Sequence, residues 1–477
     1  MNTSVAQIVL YFVVPLITIG IVLYVFFQKE NIVKQKKYQV TFKLKNGKFS
    51  IANVKRGVSI IGSAGSGKTQ SVIYNFIEHF SKYEFCGIMH DYKDFELTEI
   101  AYPLFKNSKI KFYTVAFDEV YFRVNPIAPR YLPNEESVNE VSKVLIENLL
   151  EQNLSDVSGS NKFFSDAVEG LLSGLIWKLK TSHEQYCTLP HLIALFQSMN
   201  TKRLVAFLSS DFTSRAMASA FINGIESEKQ TAGVKSTLAN AFKKISSKKL
   251  FMVLSADEVP LDINNAKNKA IISIVNNPQY ESAYSPIIAM ITHTVIKQMS
   301  VRNRDASFIL LEEAPTVKLP NMHRIPATLR SYNISTIYVM QDKIQNDMIY
   351  GEKASKAILS NLSYQFFGKV NDPDTAKYYE RFFELIKHPT KSVSKGTGLS
   401  WDARITKGEK EVPKRRADVF FRLNQGEFIS FADGKDRKVR FKLNHISKER
   451  PKPQMFYSPE ELSINHQKIY REVKRIS

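Results

Sequence analysis

Apolar positions along the chain form three patterns, and the first is an uninterrupted run near the amino terminus. Residues 8–27 are twenty consecutive positions without Asp, Glu, Lys, Arg or His. A helix of that length rises about 30 Å, which is the thickness of the hydrocarbon core of a bilayer. A cleaved signal peptide is the alternative, but it would have a basic leader and a shorter apolar run. The pattern therefore predicts an uncleaved membrane span.

Charged residues around this run predict its orientation. The lysines that follow it closely are Lys29, Lys34, Lys36 and Lys37, and no basic residue precedes it. Because positively charged flanks stay in the cytoplasm, we expect a single-pass protein with its amino terminus outside and its C-terminal domain cytoplasmic. The two cysteines, Cys86 and Cys187, are too few for a disulfide framework, as expected in a reducing compartment.

The second pattern is a set of short, continuous apolar runs. They lie at residues 58–61, 85–89, 110–115, 270–275, 308–311 and 334–340. Runs of this kind, separated by helical stretches, are typical of parallel strands that helices cover on both faces. They predict an α/β fold with a parallel-rich sheet. An alternating segment at 38–44 with Asn46-Gly47 after it predicts a half-buried strand and turn ahead of that sheet.

The third pattern is helical spacing of apolar residues, which replaces the strand signal between residues 134 and 249. It is clearest over 140–150 and 167–177. This predicts an all-α domain inserted into the sheet domain. The predicted organisation is an anchor and linker (1–37), the two parts of the sheet domain (38–133 and 250–450), the insertion between them (134–249) and a tail (451–477).

The net charge indicates which kind of molecule the chain binds. The 66 Lys and Arg residues exceed the 46 Asp and Glu residues by 20, which favours a polyanion such as nucleic acid or an anionic membrane face. The segment 387–416 holds nine Lys or Arg against three acids, with Gly, Ser and Thr between them, and predicts a mobile basic loop. With the lysines around 243–249 it is compatible with a DNA-binding surface, although a solvated face is the ordinary alternative.

The most specific motif is a complete G-x-x-x-x-G-K-T sequence. Its residues are Gly62, Ser63, Ala64, Gly65, Ser66, Gly67, Lys68 and Thr69. Small residues let backbone N–H groups surround a phosphate, the lysine bridges the β- and γ-phosphates, and the threonine hydroxyl binds Mg²⁺. The motif lies between a predicted strand and a helix predicted at 70–80, so it indicates an ATP and Mg²⁺ site rather than an ordinary glycine-rich turn.

A pair of acids supplies the second part of such a site. Glu312 and Glu313 directly follow the predicted strand at 308–311. We expect Glu312 on the metal side and Glu313 orienting the attacking water, although two acids after a strand can also be a helix N-terminus. Aspartate is usual at the first position. Since glutamate is one methylene longer, contact with the metal through water competes with direct coordination.

These motifs, in this order, give the chain a family resemblance. GSAGSGKT at 62–69 is followed by HDYKDFEL at 90–97, LLEEAPT at 310–316, LRSYNI at 329–334, QD at 341–342, YG at 350–351 and LNQGEFI at 423–429. The chain resembles the type IV coupling proteins of the TraG/TraD class. The resemblance implies a RecA-like ATPase that forms a hexameric ring on the bacterial inner membrane. It also implies contact with a relaxase and its single transfer strand of DNA, and delivery of that DNA to a type IV secretion channel in conjugation.

Further site residues follow from the resemblance and from strand ends. In the resembling family, an arginine at the position of Arg330 reaches the nucleotide of the neighbouring subunit; a solvated surface arginine is the alternative. Gln341 directly follows a predicted strand, where it could sense the γ-phosphate or simply end the strand. Asp91 and Lys93 have the same edge position, and an ion pair and a nucleotide contact both stay open for them.

Two other functions compete with a conjugative DNA-transfer ATPase. One is a chromosome translocase of the FtsK type, which would usually have several spans and a DNA-reading winged-helix end. The other is a receptor that docks protein substrates at a secretion channel and binds ATP as a structural ligand. Stimulation of hydrolysis by DNA would distinguish a motor from a receptor.

Overall fold

The structure is a computed structural model that describes residues 9–150, 159–395, 403–443 and 445–476. Its strands are β1 (Val40–Lys43), β2 (Lys48–Ile51), β3 (Val58–Ile61), β4 (Cys86–Asp91), β5 (Lys111–Val115), β6 (Ala270–Val275), β7 (Ser307–Leu311), β8 (Ile334–Met340), β9 (Tyr364–Phe367), β10 (Leu385–Lys395), β11 (Ala403–Pro413), β12 (Glu427–Ala432) and β13 (Lys435–Arg440). Nine of them form one sheet, in the order β13-β12-β9-β3-β8-β7-β4-β6-β5.

The sheet is parallel except at one edge. Every neighbouring pair from β9 through β3, β8, β7, β4 and β6 to β5 is parallel, whereas β12 pairs antiparallel with both β9 and β13. The predicted parallel-rich α/β sheet is confirmed, and its six apolar runs coincide with β3 to β8 to within two residues. The predicted first strand and turn form the antiparallel hairpin β1-β2.

Helices connect and cover the strands. They are α1 (Val14–Tyr38), α2 (Tyr74–Lys82), α3 (Glu96–Phe105), α4 (Glu135–Leu149), α5 (Gly159–Ser182), α6 (Leu189–Ser198), α7 (Thr201–Ser209), α8 (Phe212–Met217), α9 (Ser219–Asn223), α10 (Glu228–Lys244), α11 (Lys248–Val253), α12 (Glu281–Met299), α13 (Ile325–Leu329), α14 (Lys343–Tyr350), α15 (Glu352–Ser360), α16 (Pro373–Glu380), α17 (Ala417–Phe421) and α18 (Pro459–Val473). Between β5 and β6 the described residues include helices α4 to α11 and no strand.

Two hydrophobic cores lie on opposite faces of the sheet, because successive residues of a strand point to opposite sides. Ile61 and Ile88 belong to the larger core, which is shared with helices α4 to α12. Their neighbours Ile60 and Met89 belong to the smaller core, together with α2, α3 and the β1-β2 hairpin. Burial on both faces explains why the central strands are continuous apolar runs rather than alternating ones.

The amino-terminal helix α1 follows a π-helical turn, Val9–Val13. Large apolar side chains in this part of the chain are exposed, including Tyr11, Leu16 and Tyr24. Within the described part of the chain, no helix meets both the length and the hydropathy required to cross a membrane. The span predicted at 8–27, whose first residue lies outside the described residues, therefore stays a prediction.

The segment 387–416 is not the irregular loop that the sequence predicted. Most of it forms the antiparallel hairpin β10-β11, in which Leu385 is opposite Pro413 and Lys395 is opposite Ala403. The described side chains from Leu385 to Lys391 are exposed, so neither face of β10 packs on a core over this stretch. A strand without a buried face has no apolar alternation, which is why the sequence pattern failed to predict it. Residues 396–402 lie outside the described part.

Candidate functional site

The glycine-rich loop connects the buried strand β3 to the helix that continues into α2. Gly65 and Gly67 adopt positive φ angles of 75° and 89°, which favour glycine. A Cβ atom on Gly67 would lie 2.9 Å from the backbone nitrogen of Gly426, so the loop also needs a small residue for close approach. The N–H of Gly426 donates to the carbonyl of Ser66 at 3.0 Å. The loop is therefore braced by the segment that leads into β12.

The remaining loop residues are also held by strand ends. The N–H of Gly62 donates to the carbonyl of Met340 at 3.2 Å, and that of Ser63 donates to Lys369 at 2.7 Å. Ala64 is exposed at the tip of the loop. The loop thus lies at the carboxyl edge of the sheet, where ligands bind in open α/β folds.

The side chain of Lys68 folds back over the loop. Its Nζ donates to the carbonyl of Gly62 at 2.5 Å, and the residue is buried. Burial lowers the pKa of this lysine, while Glu313 acts in the opposite direction. Thr69, half-buried, is the first residue of the π-helical turn Thr69–Ile73 that precedes α2. The lysine and threonine predicted to hold phosphate and Mg²⁺ are thus at the strand-to-helix junction.

The acidic pair lies at the same edge, directly after β7. Glu312 is buried, and its Oε2 accepts a hydrogen bond from the N–H of Tyr92 at 3.3 Å. Its Oε1 is buried and has no hydrogen-bond partner. Burial, and then the nearby carboxylate of Asp91, raise the pKa of Glu312 to about 8. A buried carboxylate with one oxygen free of hydrogen bonds is suited to a cation.

Glu313 and Gln341 are brought together by neighbouring strands β7 and β8. The Nε2 of Gln341 donates to Oε1 of Glu313 at 3.1 Å. Glu313 is buried and has a left-handed backbone, with φ 46° and ψ 52°. A bulky residue rarely adopts this conformation, and such backbone strain is concentrated at functional sites. The sequence indicated both residues, but not their contact.

Asp91 and Lys93 separate into two different roles. Asp91 is buried, and its Oδ2 accepts hydrogen bonds from the backbone N–H and the hydroxyl of Thr98 at 2.7 and 2.6 Å. It therefore caps the start of α3. Lys93 points to the acidic pair instead, with its Nζ 3.5 Å from Oε1 of Glu312. An ion pair between Asp91 and Lys93 does not form.

Arg330 is the one predicted site residue that lies apart from the others. It is exposed and comes just before β8 begins, next to Lys55, whose side chain bonds to Asn333. Gln341 directly follows the other end of β8. Seven strand residues span about 20 Å, so Arg330 lies at the amino edge of the sheet, across from the loop.

The residues present fit a Mg²⁺ ion that is shared with a bound phosphate. Thr69 and Glu312 would hold it, and the buried Oε1 of Glu312, which accepts no hydrogen bond and has a cation beside it, is the observation that supports the fit. No group of three or more His, Cys, Asp or Glu suited to a metal occurs within the ranges that the structure describes. Mg²⁺ commonly uses one or two protein ligands and completes its shell with phosphate and water.

The sequence did not predict how the site is connected to the helical region. A cavity of about 680 Å³ lies beside Glu313 and Gln341 and reaches Asn148 at the end of α4. The side chain of Asn148 donates to the carbonyl of Lys318 at 2.9 Å and accepts from the same residue's N–H at 3.1 Å. The loop after Glu313 is thus pinned to α4. Asn148 belongs to no motif, so only the folded chain identifies it.

Comparisons with known proteins identify a family and the fold. A family model described as Type IV secretory system Conjugative DNA transfer matches residues 24–410. The bacterial conjugative coupling protein TrwBdeltaN70 is 12% identical, with a TM-score of 0.66 over 86% of this chain and 90% of that one.

Two further solved structures share the fold. Plasmid coupling protein TrwB in complex with ADP and Mg²⁺ is 12% identical, with a TM-score of 0.64 over 84% of this chain and 88% of that one. VirB4 of Thermoanaerobacter pseudethanolicus is 12% identical, with a TM-score of 0.51 over 89% and 97% of the respective chains. No curated protein matches the sequence. At these identities, the structural likenesses establish the fold.

Proposed function

Since the chain belongs to the Type IV secretory system conjugative DNA transfer family and is a type IV coupling protein, we propose that it hydrolyses ATP to move DNA toward the secretion channel. The observation that carries this proposal is the convergence at one sheet edge of the P-loop lysine and two buried glutamates. These groups are the ones that a P-loop ATPase needs to bind phosphates, hold a metal and position water.

ATP and Mg²⁺ are the proposed ligands. Solved structures of TrwB contain ADP with Mg²⁺ and non-hydrolysable ATP and GTP analogues, on the fold that this chain shares. Residues 62–69 would surround the phosphates, and Thr69 and Glu312 would hold the metal. When bound, Mg²⁺ neutralises charge that develops on the phosphoryl oxygens.

The acidic and amide side chains have distinct proposed roles in hydrolysis. Glu313 would orient the attacking water and accept its proton. Gln341 donates to Glu313 at 3.1 Å. It would sense the γ-phosphate and change the position of the Glu313 carboxylate through this hydrogen bond. Lys68 would leave the Gly62 carbonyl and bridge the β- and γ-phosphates, since a bound anion attracts the ammonium more strongly than a neutral carbonyl does.

We further propose that the active unit is a ring, most simply a homo-hexamer, in which Arg330 acts on the next subunit. Arg330 is exposed at the amino edge of the sheet, about 20 Å from the carboxyl edge of its own subunit. Only a neighbouring chain could present it to a nucleotide. A guanidinium there would stabilise the transferring phosphoryl group.

Membrane and DNA partners complete the proposal. Residues 8–27 would anchor the chain in the bacterial inner membrane, with the folded part in the cytoplasm; the exposed apolar side chains of Tyr11, Leu16 and Tyr24 support this. The net charge of +20 supports contact with the phosphates of the single transfer strand that a relaxase delivers. An FtsK-type translocase and a non-motor receptor for protein substrates are the competing functions.

ATP hydrolysis by the purified full-length chain, with and without single-stranded DNA, tests the proposal. We expect DNA to stimulate hydrolysis and Lys68→Ala to abolish both hydrolysis and DNA transfer between cells, while the folded state is retained. Lys82→Ala, at the far end of the helix that follows the P-loop, is the matched control and should behave as wild type. Tight ATP binding without turnover would instead favour the receptor, and normal transfer by Lys68→Ala would contradict the proposal.

A further inference from the structure

Lys93 is surrounded by three carboxylates at the mouth of the site. Its Nζ lies 3.5 Å from Oε1 of Glu312, 4.0 Å from Oε1 of Glu313 and 3.9 Å from Oε2 of Glu96. Its side chain is 37% exposed, whereas those of Glu312 and Glu313 are 1% and 3% exposed. Lys93 therefore has a partly exposed side chain whose ammonium lies beside two buried acids.

The buried acids need a cation. Two adjacent carboxylates in a low-dielectric site repel each other, and an unpaired buried charge is strongly destabilising. Backbone and amide donors supply one hydrogen bond to each acid, but Oε1 of Glu312 accepts none. Within the described residues, Lys93 is the sole lysine or arginine that lies within 4.0 Å of either carboxylate.

The P-loop lysine does not fill this place. The Nζ of Lys68 bonds to the carbonyl of Gly62, and no ion pair joins it to either glutamate in the described part of the chain. The two lysines thus contact different groups. Lys68 bonds to the phosphate-binding loop, and Lys93 lies closest to Glu312, the acid that would hold the metal.

We propose that Lys93 is a resident substitute for the divalent cation. Without nucleotide its ammonium takes the place beside Glu312 that Mg²⁺ would take with the nucleotide. Free metal is thereby excluded, and Mg²⁺ enters only with ATP, whose phosphates compete for the ammonium and add ligands to the ion. Since the side chain of Lys93 is 37% exposed and Glu96 lies 3.9 Å from its Nζ, the ammonium can swing outward toward Glu96 without repacking the core.

Lys93 is a positioning residue in this scheme, and it rests on the ATP site proposed above. The test needs no nucleotide, so its outcome is separate from whether the protein hydrolyses ATP. Electron paramagnetic resonance would measure binding of Mn²⁺, as a probe for Mg²⁺, to the full-length chain without nucleotide. Wild type and Lys93→Arg should bind Mn²⁺ weakly, and Lys93→Met should bind it at least about tenfold more tightly, because a carboxylate pair without its cation attracts a metal.

Two variants distinguish this role from a structural one. Lys93→Met/Glu312→Gln should lose the gained affinity, since one of the two carboxylates is gone. Lys106→Met, which removes a lysine paired with Glu449 away from the site, should leave Mn²⁺ binding at the wild-type level. Unchanged Mn²⁺ affinity in Lys93→Met, or a gain that persists in the double variant, would overturn the proposal.

The wild-type chain provides a second test that does not depend on the folding of any variant. The rate at which acetic anhydride modifies Lys93 can be followed by mass spectrometry. Millimolar Mg²⁺ without nucleotide should leave this rate unchanged, because the ammonium keeps the ion out. A several-fold faster modification with Mg²⁺ alone would show that the metal displaces the lysine, and the proposal would be wrong.

Discussion

At the scale of single residues, the site depends on two glutamates that are adjacent in sequence and differ in surroundings. Glu312 accepts a hydrogen bond from the backbone N–H of Tyr92, directly after β4, and lies beside Lys93. Glu313 has a left-handed backbone and accepts a hydrogen bond from Gln341, the residue directly after β8. The positive φ angle thus lets two consecutive side chains stay at one site, where both lie within 4.0 Å of Nζ of Lys93. A straight continuation of the strand would send them to opposite faces of the sheet.

This division of roles predicts the effect of changing Glu313. In Glu313→Gln the amide oxygen can still accept the hydrogen bond from Gln341, so the loop and ATP binding should be retained. The amide cannot take a proton from water, so turnover should fall about 10²- to 10⁴-fold. Steady-state hydrolysis and binding of a non-hydrolysable ATP analogue measure the two properties separately.

Gln345→Ala is the matched control for this variant. Gln345 lines the same cavity beside Glu313 and is exposed, but within the described residues no hydrogen bond joins its side chain to the acid. Its replacement should change neither binding nor turnover. Equal loss of analogue binding and of hydrolysis in Glu313→Gln would mean that Glu313 supports the fold of the loop rather than catalysis.

At the scale of elements, the sequence predicted the strands that are buried in a core and missed the features that are not. The strands β3, β4, β6, β7 and β8 are buried along their whole length, and the edge strand β5 is buried at its carboxyl end, so their apolar runs were visible. The hairpin β10-β11 was missed because its described side chains on β10 are exposed and give no apolar pattern. The contact between Asn148 and Lys318 was missed because a single amide side chain makes it. The P-loop and acidic pair were predictable because their chemistry requires fixed residue types at strand ends.

The contact between α4 and α12 predicts a pH dependence of stability. Glu140 on α4 is 2.6 Å from Nζ of Lys297 and 3.7 Å from Nε2 of His293, both on α12. The nearby imidazole of His293, and then the hydrogen bond from Lys297, lower the pKa of Glu140 to about 2. Because the folded-state pKa is depressed, this contribution is complete above the ordinary value of 4.5 and is lost as pH falls toward 2.

Glu140→Gln should therefore weaken the acid-induced loss of stability. Urea unfolding from about pH 5 down to about pH 3 should show a smaller drop in the free energy of unfolding for Glu140→Gln than for wild type. Glu136→Gln, exposed on the same helix, is the control and should follow the wild-type curve. Parallel curves for wild type and Glu140→Gln would show that the pair is not coupled to folding.

The basic hairpin predicts a salt-dependent contribution to DNA binding. Lys391 and Lys407 are directly opposite each other on β10 and β11, and both are exposed. If they contact phosphates, Lys391→Gln/Lys407→Gln should lower the slope of log affinity against log salt by about 1.4 for single-stranded DNA. Fluorescence anisotropy over a range of salt concentrations measures this slope.

A second hairpin offers a matched control for the charge change. Lys43 and Lys48 are a cross-strand lysine pair in β1-β2, exposed like the first pair. Lys43→Gln/Lys48→Gln removes the same charge from a different surface and should leave the slope unchanged. Equal slopes for both double variants would mean that the hairpin β10-β11 has no special contact with DNA.

At the scale of the whole molecule, the two sheet edges have separate roles. The P-loop, Glu312 and Glu313 lie at the carboxyl edge, and Arg330 lies at the amino edge. A contact that joins the amino edge of one chain to the carboxyl edge of the next is head-to-tail and generates a ring when the rotation closes. The sequence predicted the arginine only through family resemblance, since its distance from the loop is a property of the folded sheet.

This separation predicts that hydrolysis depends on assembly. Arg330→Ala should bind ATP normally and hydrolyse it about 10³- to 10⁵-fold more slowly, as for other arginine fingers. Mixing Arg330→Ala with Lys68→Ala should restore part of the hydrolysis, because an intact P-loop can then meet an intact arginine. A mixture as inactive as each variant alone, in rings that demonstrably exchange subunits, would contradict the trans assignment.

The position of Arg330 across the sheet from the P-loop also has a genetic consequence. Each chain would take part in two catalytic sites, one that it houses and one that it completes. An allele defective at both Lys68 and Arg330, expressed beside the wild type, would then inactivate a larger fraction of the sites than its fraction of the subunits. Such an allele would be dominant-negative for conjugation. Two singly defective alleles, one at Lys68 and one at Arg330, would complement each other in the same cell, although neither supports transfer alone.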